Sequence, residues 1–184
     1  MSTPPASSPA PEHLIRCTSK LLVELGSTAL GSLPDGIPLE RQWQANIFRA
    51  ERRKCLIFTH CLTLYSFFIL GVTKKDLTRF GDVFAEHLHR TLSADGLTNS
   101  ILLPQANEPA PVCTHKSHNS SLLASMNNLV FMAKGDLYDF GFSGISGVEL
   151  SQRINEAPMG YIGYESPYYR LRDFLREKRA KNAG

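Results

Sequence analysis

Residues 42 to 92 constrain the fold most, because three apolar segments follow one another there with only short links between them. In the segment Gln42–Ala50, Trp43, Ala45 and Ile47 alternate with other residues as on one face of a strand. The segments Lys54–Thr59 and Thr63–Leu70 are rich in Ile, Leu, Phe and Tyr, a composition typical of strands. A parallel pair of strands needs a crossover of about a dozen residues or more, so links this short predict antiparallel hairpins. The second and third segments lack a polar face, so we expect helices to cover the sheet.

A helix is predicted directly after the third segment. Leu77, Phe80, Phe84 and Leu88 repeat at three- and four-residue spacing, which places them on one face of a helix, and Thr73 can cap its first turn. We expect this face to press Phe80 and Phe84 onto the sheet.

Further elements are predicted on both sides of this unit. His13–Cys17 and Ser100–Leu103 are short apolar segments that indicate strands, whereas 104–119 contains three prolines and is predicted as a loop. Apolar residues at helical spacing from Leu122 to Leu137 predict a second buried helix, and Ser166–Pro167 is a start signal for a last one. The sequence therefore predicts an α+β fold, with a small antiparallel sheet of three to five strands packed against several helices.

The composition of the two ends sets the expected domain boundaries. Residues 1–12 are rich in Pro and Ser and are predicted to be a disordered tail. Residues 13–177 are predicted to form a single α+β domain, and 178–184 a basic C-terminal tail. No apolar run approaches the roughly 20 residues of a membrane helix, so no membrane partner is expected.

The four cysteines show no paired spacing such as C-x-x-C. Because the N-terminus also lacks a basic start and an apolar export segment, we expect reduced thiols and a cytoplasmic location.

Several short motifs together carry a family resemblance. These are IRCTSKLL, W-x-A-N-x-F, RRKCLIFT, TLYS, SMNNL and I-N-x-x-P-M. They resemble a family of uncharacterised bacterial proteins with a domain of unknown function, and such small proteins also occur among mobile gene-cassette products. The resemblance spans roughly Leu14 to Leu175 and implies a shared fold but no activity. Asn128 stands where the family pattern has an acid, and the basic C-terminus is an addition to that pattern.

Two polar clusters are candidate ligand sites. The first lies at the ends of the predicted hairpins, where a pair of guanidinium groups can hold a phosphate or carboxylate. The second lies on the predicted helix after residue 119, where adjacent mid-helix Asn residues are unfavourable and call for an explanation. The candidates are Asn46, Arg52, Arg53, Thr59, Tyr65, Ser125, Asn127 and Asn128. The alternative is that the arginines form a solvated turn and the Asn side chains tether neighbouring backbone.

A metal site is not predicted. Cys113, His115 and His118 have residue types that suit zinc, yet no fourth ligand is indicated, and whether they bind metal stays open. No nucleophile elbow, phosphate loop or zinc-protease motif is present in the sequence, so no cofactor is expected and the catalytic residues, if any, are unknown.

Positive charge is concentrated at the C-terminal end. The basic residues there are Arg170, Arg172, Arg176, Lys178, Arg179 and Lys181. They could contact nucleic-acid phosphates, but a helix end also favours positive charge for its own stability.

Three functions follow from these observations. The first is a non-catalytic domain that binds a ligand or a protein and self-associates through apolar surface as a homo-oligomer. The second is an enzyme that acts on a small anionic substrate, with Arg52 or Arg53 as the clamp and Tyr65 or His60 near the reaction. The third is a nucleic-acid-associated protein that uses its basic C-terminal helix.

Overall fold

The structure, a computed structural model, describes residues 13–26, 36–99, 101–103, 112–114 and 119–182, with 112–114 described by their backbone. The described strands are β1 (Leu14–Cys17), β2 (Gln42–Ala50), β3 (Arg53–His60), β4 (Ser66–Ile69) and β5 (Val112–Thr114). The helices are α1 (Ser19–Leu25), α2 (Lys74–Thr78), α3 (Phe80–Ala94), α4 (Ser120–Gly144), α5 (Gly147–Glu156) and α6 (Pro167–Asn182). The prediction of a single α+β domain is confirmed.

The five strands form one mixed sheet in the order β4-β3-β2-β1-β5. The pairs β2–β3 and β3–β4 are antiparallel, as the short links predict. Strand β1 instead runs parallel to β2, and β5 runs parallel to β1. The first pair is parallel because the chain between β1 and β2, which includes α1, is long enough for a crossover.

Two predictions for the region after α3 are wrong. Residues 101–103, predicted as part of a strand, form a turn, and the strand β5 lies within 104–119, predicted as a loop.

One face of the sheet is covered by a cluster of aromatic rings. The Phe84 ring of α3 lies 5.5 Å from Trp43, 5.2 Å from Phe58 and 5.7 Å from Phe67, measured between ring centroids. Phe80 packs on Phe58 at 5.3 Å. The predicted contact of the helix with the sheet is therefore confirmed, and α6 adds Leu171 and Leu175 to the same core.

Helices α4 and α5 cover the other face. Leu122 and Met126 of α4 and Ile154 of α5 pack with Phe48 and Phe68 in a second buried cluster. Because helices lie on both faces, the central strands are buried on both sides, which explains why their apolar pattern does not alternate.

The predicted helix caps are present, with one difference. Thr73 and Asp76 form a reciprocal capping box at the start of α2. The helix predicted from there onward is interrupted at Arg79, which separates α2 from α3.

The C-terminal helix is longer than the sequence pattern indicates. Residues 178–182, expected in a basic tail, continue α6. Across the described ranges, no helix combines the length and the apolar character needed to cross a membrane.

Candidate functional site

A cavity of about 580 Å³ opens on the α4 side of the sheet, next to the start of β2. It lies between β1, β2 and the first turn of α4, and the 3-10 turns Leu39–Arg41 and Gly160–Ile162 each contribute a side chain. The described residues that line it are Arg16, Leu39, Gln42, Gln44, Cys61, Asn119, Ser120, Leu122 and Tyr161.

Arg16 and Gln44 are direct neighbours across the β1–β2 pair. The adjacent pair, Ile15 and Trp43, belongs to the core on the α3 side, and alternation along the strands therefore turns Arg16 and Gln44 toward α4. Arg16 is half-buried, and no ion pair among the described residues involves its guanidinium. The cavity thus contains a positive charge without a carboxylate partner in the described part of the chain.

Gln44 is fully buried, and its amide is only partly satisfied. Its Nε2 donates a hydrogen bond to the Arg16 backbone carbonyl at 2.9 Å, while Oε1 has no hydrogen-bond partner. Flipping the amide would set Oε1 against the carbonyl oxygen, so this contact fixes which atom stays unpaired. A buried acceptor without a donor costs about 1–3 kcal/mol.

The first turn of α4 forms another wall of the cavity. Asn119 caps the helix, because its Oδ1 accepts a hydrogen bond from the Leu122 backbone N–H at 2.9 Å. Its Nδ2 donates to the Tyr161 hydroxyl at 3.3 Å, which connects the cap to the 3-10 turn on the far side. The N-terminus of a helix carries partial positive charge and therefore favours an anion.

Cys61 lines the cavity as a neutral thiol. Burial raises its pKa to about 12, and the nearby positive charge of Arg16 opposes this only in part. A thiol with this pKa is protonated at neutral pH and is a poor nucleophile.

The candidate residues of the hairpin region lie apart from this cavity. Asn46 Oδ1 accepts a hydrogen bond from the Thr18 hydroxyl at 2.8 Å, which ties β2 to the cap of α1. Arg52 is exposed in the β2–β3 turn, and the Arg53 guanidinium lies 4.7 Å from the centre of the Phe142 ring.

Thr59, Tyr65 and His60 are buried. The hydroxyls of Thr59 and Ser66 are hydrogen-bonded at 2.9 Å, and the Tyr65 hydroxyl donates to Asp95 Oδ2 at 2.6 Å. Burial and the neighbouring Asp95 carboxylate raise the pKa of Tyr65 well above its ordinary value. His60 is also fully buried.

The three candidates on α4 divide between its two faces. Ser125 is buried and bonds back to the Ser121 carbonyl at 3.0 Å, whereas Asn127 and Asn128 are exposed. None of the eight candidates lines the 580 Å³ cavity, and ligand binding by them stays a prediction.

The side chains of Cys113, His115 and His118 lie outside the described residues. Elsewhere in the described chain, no three His, Cys, Asp or Glu side chains come together as a metal-binding group. Cys17 is disulfide-bonded, so the expectation of four reduced cysteines is wrong, while Cys55 and Cys61 are free and buried.

Most basic side chains of α6 have partners within the chain. Lys178 forms an ion pair with Glu40 at 2.5 Å, Arg172 and Arg176 both lie next to Asp173, and Arg179 donates to the Thr98 carbonyl at 3.2 Å. These contacts give the basic residues a structural role, and nucleic-acid binding by them stays a prediction.

The sequence patterns missed Arg16 and Gln44. Arg16 is the charged residue of the short segment His13–Cys17, which is a signal that could have identified it, whereas Gln44 is one of several polar residues in Gln42–Ala50 and the sequence does not single it out. Their proximity depends on the parallel pairing of β1 with β2, and the sequence of neither segment alone predicts that pairing.

The comparisons with known proteins support a family with a domain of unknown function, while its bacterial origin and its motifs stay predictions. No curated protein matches the chain. The model of a family described as a domain of unknown function, DUF6933, matches residues 14–170, which begins where the motifs begin and ends within α6. This match covers most of the sequence, and the chain therefore belongs to the DUF6933 family.

Proposed function

We propose that the domain binds a small anionic molecule in the cavity beside Arg16. The observation that carries the proposal is a half-buried guanidinium that lines a cavity of about 580 Å³ and forms no ion pair with the described residues. Small-molecule sites commonly measure about 300–1,000 Å³, so the volume suits a metabolite-sized ligand. An arginine fork binds a carboxylate or a phosphate through two parallel hydrogen bonds.

The wall of the cavity that α4 forms also favours a negatively charged ligand. The first turn of α4 lines the cavity, so the partial positive charge of the helix N-terminus lies beside it, and Ser120 adds a hydroxyl that can donate. Because Cys61 stays a neutral thiol, we propose binding and not thiol catalysis at this site.

Gln44 narrows the ligand class further. A ligand with an O–H or N–H group next to its acid could donate to Gln44 Oε1 and satisfy the unpaired acceptor. We therefore expect a hydroxy acid to bind more tightly than the same acid without the hydroxyl.

The test is a titration of the purified protein with malate, succinate and inorganic phosphate, followed by amide chemical shifts in NMR. Malate should shift amides around Arg16, Gln44 and Ser120 and should bind several-fold more tightly than succinate. Arg16→Gln should weaken binding at least tenfold, because it removes the cation.

The matched control is Arg52→Gln, which removes an exposed arginine in the turn after β2. Gln44 is about 20 Å from the end of β2 at Ala50, at the rise of an extended strand. This variant should bind like the unmodified protein. Equal loss in both variants would indicate general charge attraction, and loss in the control alone would move the site to the hairpin turn. Absence of any shift with all three probes at millimolar concentration would refute anion binding here.

A further inference from the structure

The outer face of α4 carries two aromatic rings that the described residues leave uncovered. Phe131 is 79% exposed and Tyr138 is 85% exposed, while Leu129 and Ala133 on the opposite face are fully buried against the sheet. Phe131 and Tyr138 are seven residues apart, which is about two helical turns, so the two rings lie in one row along the helix.

A glycine lies between them on the same face. A Cβ on Gly135 would meet no atom of the described residues within 4 Å, so packing among them does not require a glycine there. Glycine is unfavourable in a helix interior. Close approach of a second helix from outside the chain would explain why this position lacks a side chain.

The arrangement is self-complementary, and we propose that a second copy of this chain packs on it. The midpoint between Phe131 and Tyr138 falls between Lys134 and Gly135. If two α4 helices pair antiparallel about that point, Phe131 of each copy meets Tyr138 of the other. Gly135 of each copy then lies opposite Lys134 of the other, and the two Gly135 residues are about 1.5 Å apart along the helix axis at the crossing. An isologous two-fold contact needs this exchange of partners.

The expected area fits a modest interface. Each aromatic side chain buries about 150–250 Å², so the four rings of a dimer supply about 600–1,000 Å². Stable interfaces bury about 1,200–2,000 Å² in total, and exposed neighbours on the same face, such as Asn127 and Lys134, extend the contact toward that range. The aromatic rings supply most of the buried area, and salt screens the repulsion between the two Lys134 side chains near the centre, so the dimer should persist at high salt.

The first test is the mass of the full chain by sedimentation velocity from 1 to 200 µM. The unmodified protein should dimerise within this range, with or without 1 M NaCl, and the double variant Phe131→Ser, Tyr138→Ser should stay monomeric with an unchanged circular dichroism spectrum. The control Tyr164→Ser removes a ring that is also 80% exposed but lies outside α4, and it should dimerise normally. A monomer at 200 µM, or a dimer that survives the double change, overturns the proposal.

The second test reports the pairing directly. Gly135→Cys should form an intermolecular disulfide under mild oxidation, because the two positions lie next to each other at the crossing, about 1.5 Å apart along the helix axis. Ala124→Cys lies on the same exposed face, but its two copies would be about 30 Å apart at the helical rise of 1.5 Å per residue, so it should not crosslink. Equal crosslinking of both variants, or crosslinking only through Ala124→Cys, would refute this geometry.

Discussion

Asn155 of α5 holds both backbone groups of Ser66 in the edge strand β4. The Ser66 N–H donates to Asn155 Oδ1 at 2.8 Å, and Asn155 Nδ2 donates to the Ser66 carbonyl at 2.7 Å. One turn earlier, Ser151 Oγ accepts a hydrogen bond from the Phe68 N–H at 3.0 Å. Helix α5 therefore pairs with the open edge of the sheet in place of another strand, which protects that edge from association with other chains.

Replacing Asn155 with Ala should cost about 3 kcal/mol of unfolding free energy, because two buried backbone groups lose their partners at about 1–3 kcal/mol each. Chemical denaturation followed by circular dichroism measures this loss. Glu156→Ala, the exposed neighbour on the same helix, should change stability by less than about 0.5 kcal/mol. Similar losses in both variants would show that the amide contacts contribute little.

The start of the same helix depends on a residue without a side chain. A Cβ on Gly147 would lie 2.6 Å from the Phe68 carbonyl oxygen, so α5 can approach β4 only with a glycine there. Gly147→Ala should therefore destabilise the fold by about 1–3 kcal/mol through displacement of α5. In Gly144→Ala the new Cβ meets its nearest neighbour at 3.6 Å, an ordinary contact, so this control should fall within about 0.5 kcal/mol of the parent. A stable Gly147→Ala protein would contradict the close packing of helix and edge.

The sequence predicts most elements of this fold because their signals are local. The capping residue Thr73 and the apolar face that includes Phe84 are both readable within one or two helical turns. Strand β5 is not predictable in this way, since it has three residues and is a strand only through its pairing with β1.

The same limit applies to the candidate site and to the role of Asn155. Arg16 and Gln44 are 28 residues apart and meet only through the parallel pairing of their strands. Asn155, the Asn of the I-N-x-x-P-M motif, bonds Ser66, 89 residues away. Contacts of this kind depend on the order and direction in which the strands and helices pack. Local patterns in a single sequence do not predict them.

The β2–β3 turn should accept a stabilising change. Glu51 and Arg52 occupy its two central positions with φ values of +45° and +67°, a left-handed conformation that costs side-chain-bearing residues about 1–2 kcal/mol each. The double change Glu51→Asn, Arg52→Gly supplies the residues preferred in such two-residue hairpin turns and should raise the unfolding free energy by about 1 kcal/mol or more. A decrease in the denaturation midpoint would show that the two charged side chains contribute to stability, contrary to this expectation. If the stabilised variant also retains anion binding, the clamp role predicted for Arg52 is excluded.

His60 should make stability depend on pH in the acidic range. The His60 side chain is fully buried. Its Nε2 donates a hydrogen bond to the Glu40 backbone carbonyl at 2.9 Å, because a carbonyl can only accept. Nδ1 is then the acceptor, and the Thr63 hydroxyl donates to it at 2.8 Å. Burial lowers the pKa of His60 to about 4, with a smaller contribution in the same direction from His13, while the Glu40 backbone contact and side chain act in the opposite direction.

The unfolded chain therefore binds a proton on His60 near pH 6.5, whereas the folded chain does so only near pH 4. Titration of His60 therefore does not reduce the free energy of unfolding above about pH 6.5. As the pH falls from there to about 4, the free energy of unfolding decreases by up to about 3 kcal/mol, at 1.36 kcal/mol per pH unit. Unfolding free energies measured every half unit from pH 4 to 8 should show this slope, and His60→Gln should flatten it while lowering stability at neutral pH. His89→Gln, at an exposed position of α3, should leave the slope unchanged. An identical slope in His60→Gln and the parent would assign the pH dependence to other groups.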